Sequence, residues 1–184
     1  TAQGEGIPSI TLAAANADMT DLTVAGNVLD VSADAVPALA SITITATMRD
    51  LTVQNNVDLT SLTVSDASIR DITFDNNDDI ESLTFDNATN LAYNDFSATA
   101  DTGSALDVTN NADLSSLTVS LNSLDDLDVD VNAALATLDF SGVTAIGTGA
   151  NVSITGHDLD AASLTQTSAD DNTGSIDDGS SGMD

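Results

Sequence analysis

Two clusters of carboxylates offer the densest chemistry in this chain. Asp75, Asp78 and Asp79 stand with Asn76 and Asn77, and Asp125, Asp126, Asp128 and Asp130 follow farther on. Hard oxygen ligands at this density suit Ca2+, which takes about six to eight oxygens at about 2.3–2.6 Å. Asp75, Asn77 and Asp79 have the alternate spacing of a calcium loop, without its glycine or its later bidentate glutamate. The candidate metal ligands are therefore Asp75, Asn77, Asp79, Asp126, Asp128 and Asp130, with solvated acidic turns as the alternative reading. Catalysis has less to work with. His157 is the single histidine and there is no cysteine, which gives no support to a transition-metal set or a Ser-His-Asp arrangement. Paired carboxylates could hydrolyse glycosides, but the aromatic platforms that grip sugars reduce to Tyr93 and four Phe. A polyuronate lyase would want more basic residues than Arg49 and Arg70, so no enzymatic role is expected.

Those carboxylates belong to an unusually one-sided charge balance. Thirty acidic residues face two basic ones, for a formal charge of −28. Such a chain repels nucleic acid and anionic membrane surfaces, and it opposes its own folding unless salt or bound cations neutralise it. An apolar share of 41% nevertheless excludes a wholly disordered acidic tail. With 3% aromatics and no Trp, the core must be built from Leu, Ile, Val and Ala in small repeated layers. No segment reaches the ~20 apolar residues of a membrane-spanning helix, so direct membrane insertion is not expected. The chain starts at Thr1 without Met, which reads as a mature or trimmed chain that has lost a secretory signal.

The elements that position the carboxylates follow from an internal repeat. Its pattern is Leu or Ile, two residues, Leu or Ile, one residue, Val or Phe, two residues, Asn. The copies are Met48/Leu51/Val53/Asn56, Ile69/Ile72/Phe74/Asn77, Leu124/Leu127/Val129/Asn132, and Leu106/Val108/Asn111 with Gly103 at the first apolar position. A second strand start follows each copy at a constant offset, at Leu62, Leu83, Leu117 and Leu138. The full coil is about 21 residues, and a longer return between Leu83 and Leu106 places an insertion loop at about 91–103 without disturbing the phase. Weaker copies put first strands at Ile10, Leu29 and Val152 and second strands at Leu22, Ile42 and Leu164.

Apolar-polar-apolar strand starts such as Leu51-Thr52-Val53 send alternate residues to opposite faces. The expectation is an all-β, two-sheet β-solenoid of about seven coils over 1–167 with one insertion loop, followed by an acidic Ser/Gly/Asp tail or linker at 168–184. Thr52, Thr73, Asp107 and Asp128 should line an outer face. Asn56, Asn77, Asn111 and Asn132 fall where the chain leaves the first sheet, and buried amides there would form a structural ladder across successive turns. Arg49 and Arg70 occupy equivalent places in adjacent coils, each followed by Asp50 or Asp71, and should form an ion-pair ladder along a carboxylate column continued by Asp126.

The four motif copies resemble leucine-rich-repeat and receptor L-domain solenoids, with two strand-like positions per coil and no helical segment on the convex side. In composition and repeat style the chain is similar to the S-layer proteins of marine gammaproteobacteria. That resemblance implies an extracellular, calcium-dependent structural layer or matrix at the cell surface, made of copies of this chain, with cell-surface polysaccharide as a further partner. The alternative is an adhesin or L-domain-like binding module of a larger surface protein, with Tyr93 and Phe96 of the insertion as anchors. Ice binding through outward Thr52, Thr73, Thr63 and Thr84 is a third reading, opposed by Asp at 107, 128 and 139.

Overall fold

The computed structural model describes residues 7–65, 68–88, 105–121, 126–139, 152–155 and 164–165. Among the described residues, twelve strands run in chain order: β1 (Ile7–Leu12), β2 (Asp21–Asp34), β3 (Ser41–Gln54), β4 (Ser61–Val64), β5 (Ser68–Asp75), β6 (Ser82–Ala88), β7 (Ala105–Thr109), β8 (Ser116–Leu121), β9 (Asp126–Asp130), β10 (Thr137–Asp139), β11 (Val152–Thr155) and β12 (Leu164–Thr165). Every pairing is parallel. Beyond one 3-10 turn at Ala14–Asn16, the described residues contain no helix.

The chain is a β-solenoid. One ladder carries Ile10, Val31, Leu51, Ile72, Leu106, Leu127 and Val152 in register. The other carries Leu22, Ile42, Leu62, Leu83, Leu117, Leu138 and Leu164. Five coils, those that start at Val31, Leu51, Ile72, Leu106 and Leu127, share one complete strand-turn-strand pattern. Asn77 and Asn111 are sequence-distant but hydrogen-bonded neighbours, so the insertion leaves the stacking phase intact. The insertion at 91–103, with Tyr93 and Phe96, lies outside the described residues, as do Asp125, His157 and the tail at 168–184.

The core is a set of apolar columns. Leu51, Ile72, Leu106 and Leu127 are buried, as are Val53, Phe74, Val108 and Val129 behind them. The turns contribute Leu39, Leu59, Ile80, Leu114 and Leu135, and the second ladder adds Leu62, Leu83, Leu117 and Leu138. Leu, Val and Ile stack on their own kind because parallel, in-register strands bring equivalent positions to about 4.8 Å.

Two features differ from the sequence reading. First, β2 and β3 each fuse the second strand of one coil with the first strand of the next. In β3 the inward residues alternate through Ile42, Ile44, Ala46 and Met48, then Arg49 and Asp50 both face away from the core before Leu51 turns in again. That single break of the period-two pattern is the corner at which one side of the coil becomes the other. Second, the first strand expected at Leu29 is centred on Val31, which pairs with Leu51. Leu29-Asp30-Val31 imitates a strand start two residues early. Asp30 occupies the corner position that matches Asp50, which leaves Leu29 exposed.

In the five complete coils, the turn out of the first ladder opens with one residue in the left-handed region: Ala35, Asn55, Asn76, Asn110 and Val131, at φ 51, 58, 54, 56 and 55°. Asn tolerates this conformation, whereas a β-branched residue there is a steric outlier. Val131 is also exposed, so its side chain returns little packing. Val131→Asn should therefore stabilise the protein by about 1 kcal/mol. Chemical denaturation measures this, and an unchanged or lower midpoint would contradict the strain assigned to Val131.

Candidate functional site

Immediately after four of the five left-handed residues, the chain buries an asparagine amide. Asn56, Asn77, Asn111 and Asn132 are fully buried and form one continuous column. The Oδ1 of Asn56 accepts from the Val36 N–H at 3.0 Å, that of Asn77 from the Asn56 N–H at 3.1 Å, that of Asn111 from the Asn77 N–H at 2.9 Å, and that of Asn132 from the Asn111 N–H at 3.0 Å. The Nδ2 groups donate in the opposite direction along the stack. Asn56 reaches the Ala33 carbonyl, Asn77 the Val53 carbonyl, Asn111 the Phe74 carbonyl and Asn132 the Val108 carbonyl. Asn56, Asn77 and Asn111 also donate to the carbonyl two residues before them in their own coils. An amide is suited to this position because it carries donor and acceptor together, so a copy can be satisfied by the copy below while it satisfies the copy above. In the first of these turns Val36 occupies the equivalent position, and its N–H supplies the end donor.

A second column lies on the outer corner. Asp30, Asp50 and Asp71 are in register. Two carboxylates about 4.8 Å apart repel by roughly 1 kcal/mol at the dielectric of water and about 3.5 kcal/mol at an effective dielectric near 20. The two arginines interleave with them. Arg49 grips Asp30 with both Nε and Nη2, at 2.9 and 2.8 Å, and also reaches Asp50 at 3.0 Å. Arg70 bridges Asp50 and Asp71, each at 2.7 Å. Burial works against the Arg49 charge, but Asp30 and Asp50 outweigh it and hold its pKa above the ordinary value. Sequence reasoning placed both arginines on one carboxylate column and missed Asp30, whose place is hidden by the early strand-like pattern at Leu29. Beyond Asp71 the column does not run directly to Asp126, because Ala105 stands in register with Asp126.

The sequence-predicted metal ligands divide among three environments. The Asn77 side chain turns inward, where the buried column uses both its ends. Asp75 and Asp130 share an outer column on either side of Thr109, and Asp75 accepts hydrogen bonds from Thr109 Oγ1 and Asn110 Nδ2, each at 2.8 Å. Two rungs put Asp75 and Asp130 about 9.6 Å apart, too far to share one ion whose ligands lie about 2.3–2.6 Å from it. Asp79 is exposed in the turn. Asp126, Asp128 and Asp130 fall at alternate positions of β9, and Asp128 is in register with Asp107 of β7. Among the described residues, no group of three or more His, Cys, Asp or Glu is placed to hold a metal ion.

The outer side of the first ladder thus changes character along the rod. Ser32, Thr52 and Thr73 give way to Asp107 and Asp128 in one unbroken column. No protein-family model, curated protein or solved structure matches the chain.

The buried column makes a direct prediction. Asn77→Ala removes the acceptor of the Asn56 N–H and the donor to the Val53 and Asp75 carbonyls, and should cost about 1–3 kcal/mol. Asn77→Asp keeps the shape and the acceptor but replaces the donor with a buried carboxylate, so its penalty should exceed that of alanine at neutral pH. Burial raises that carboxyl's pKa, so stability relative to wild type should recover as pH falls through the folded value. Urea denaturation of both variants across pH measures this. A change within about 0.3 kcal/mol for Asn77→Ala, well below a lost hydrogen bond, would remove the ladder's energetic role.

Proposed function

We propose that this protein is a structural component of a cell surface, a short rod that joins copies of itself into a calcium-dependent extracellular layer or matrix. The observation that carries this reading is the use of the cations. The chain's two basic residues are both engaged in the Asp30, Asp50 and Asp71 corner, so most of its 30 acidic residues depend on ions from outside. On the acidic half of the first ladder, Asp107 and Asp128 stand one rung apart. At about 4.8 Å that pair can supply two oxygens to one Ca2+, with the remaining positions open to water, to a second copy or to acidic cell-surface polysaccharide.

A cation held by one pair per molecule bridges molecules where their acidic faces meet. Sodium at the same ionic strength screens the charge but does not bridge it. Millimolar calcium should therefore convert the purified protein to ordered sheets visible by electron microscopy and raise its melting temperature, whereas sodium at equal ionic strength should do neither. Asp107→Asn/Asp128→Asn should weaken calcium binding in isothermal titration. No calcium heat, with the same monomeric mass with and without calcium, would overturn the assembly reading and favour a binding module.

A further inference from the structure

The outer side of the second ladder has the opposite chemistry to the acidic face. Thr23, Thr43, Thr63, Thr84 and Thr118 form one column across five successive coils before Asp139 follows. Beside it, two residues earlier in each coil, run Ser41, Ser61, Ser82, Ser116 and Thr137. The result is a grid of hydroxyls on a molecule of net charge −28. Among the described side chains, carboxylates stand at its margin at Asp21, below Ser41, and at Asp139. The Asp21 carboxyl is held below its ordinary range by hydrogen bonds from the Ser41 and Thr20 hydroxyls. Among the described residues, none of the five threonine hydroxyls has a protein hydrogen-bond partner.

The dimensions of the grid separate its possible occupants. Five rungs and two columns cover roughly 20 by 10 Å, on the order of 200 Å², whereas a stable protein partner needs about 800 Å² per side. The grid also carries no aromatic or arginine anchor of the kind that dominates protein interfaces. A regular ligand fits it better. Hydrogen-bonded oxygens about 2.75 Å apart at the tetrahedral angle put second neighbours at about 4.5 Å. The rungs repeat at about 4.7–4.8 Å, so the mismatch builds to only about 1 Å across the five threonines. Threonine is stiff at χ1 and presents a methyl beside its hydroxyl, so a row of threonines is already ordered before it meets the ligand.

We propose that this Ser/Thr face binds the ordered water lattice of an ice surface. It does so independently of calcium, since its central residues are uncharged. Of the residues that oppose ice binding in the sequence, Asp107 and Asp128 lie on the first ladder, and the second-ladder column runs five threonines before Asp139 interrupts it.

The test uses the purified chain in chelator, which removes calcium-driven assembly. Thermal hysteresis and uptake of fluorescently labelled protein into a growing polycrystalline ice hemisphere are measured for wild type, Thr63→Lys, Thr63→Val/Thr84→Val and Thr52→Lys. Wild type and Thr52→Lys, whose change lies on the other ladder, should enter the ice and give equal hysteresis. Thr63→Lys should lose activity by about an order of magnitude. The valine pair preserves shape and β-propensity and decides the question if the lysine variant does not fold; it too should lose activity. Exclusion of wild type from ice overturns the proposal, as does an equal loss in Thr52→Lys and Thr63→Lys. A dimer by sedimentation that Thr63→Lys converts to monomer also overturns it, because the face is then a contact between copies. Loss of calcium-dependent sheets with ice uptake intact would overturn the surface-layer reading alone.

Discussion

Parallel, in-register stacking imposes one condition on the whole molecule: every side chain lies about 4.8 Å from its equivalent in the next coil. Residue types must therefore be able to live beside themselves. Leucine, valine and isoleucine do so by packing. Asparagine does so because its amide gives one hydrogen bond and takes another, so Asn56, Asn77, Asn111 and Asn132 make a buried polar line with each copy completing its neighbour. Aspartate does not. Where Asp30, Asp50 and Asp71 stack, the fold spends both of its arginines to hold them together.

The same condition gives the two outer sides different chemistry. On the first ladder, the Ser32, Thr52 and Thr73 column turns into Asp107 and Asp128, which brings two carboxylates to adjacent rungs. On the second ladder, threonine stacks on threonine without electrostatic cost, and the hydroxyl grid persists across five coils. A face with stacked carboxylates and a face with stacked hydroxyls can coexist on one rod because the coil holds them on separate ladders.

Much of this was legible in the sequence because a solenoid writes its geometry as a period. The repeat from Leu51 to Leu127 located the strands, the buried leucines and the Asn column, and the equal spacing of Arg49 and Arg70 revealed their stacking. The reading failed where local pattern and global register compete. Leu29-Asp30-Val31 has the alternation of a strand start, and only pairing with Arg49 and the Asp50 rung places Asp30 at the corner. Asn77 fits both a calcium-loop spacing and a ladder position. The burial of its amide decides for the ladder, and spacing alone does not encode burial. Thr63, Thr84 and Asp139 were legible as one outward column, but its extension to Thr23, Thr43 and Thr118 was not, because these members are separated by unequal intervals that the strand register brings into line.

Native-state hydrogen exchange at the amides of Val36, Asn56, Asn77 and Asn111 tests the central claim most directly. Each of these turn amides donates to the asparagine side chain of the next coil. They should therefore exchange only through global unfolding, as slowly as the strand amides of β3 and β5. Exchange of these four at the fast rate of the exposed turn amides of Val57 and Asp58 would mean that the amide column does not bind the coils together.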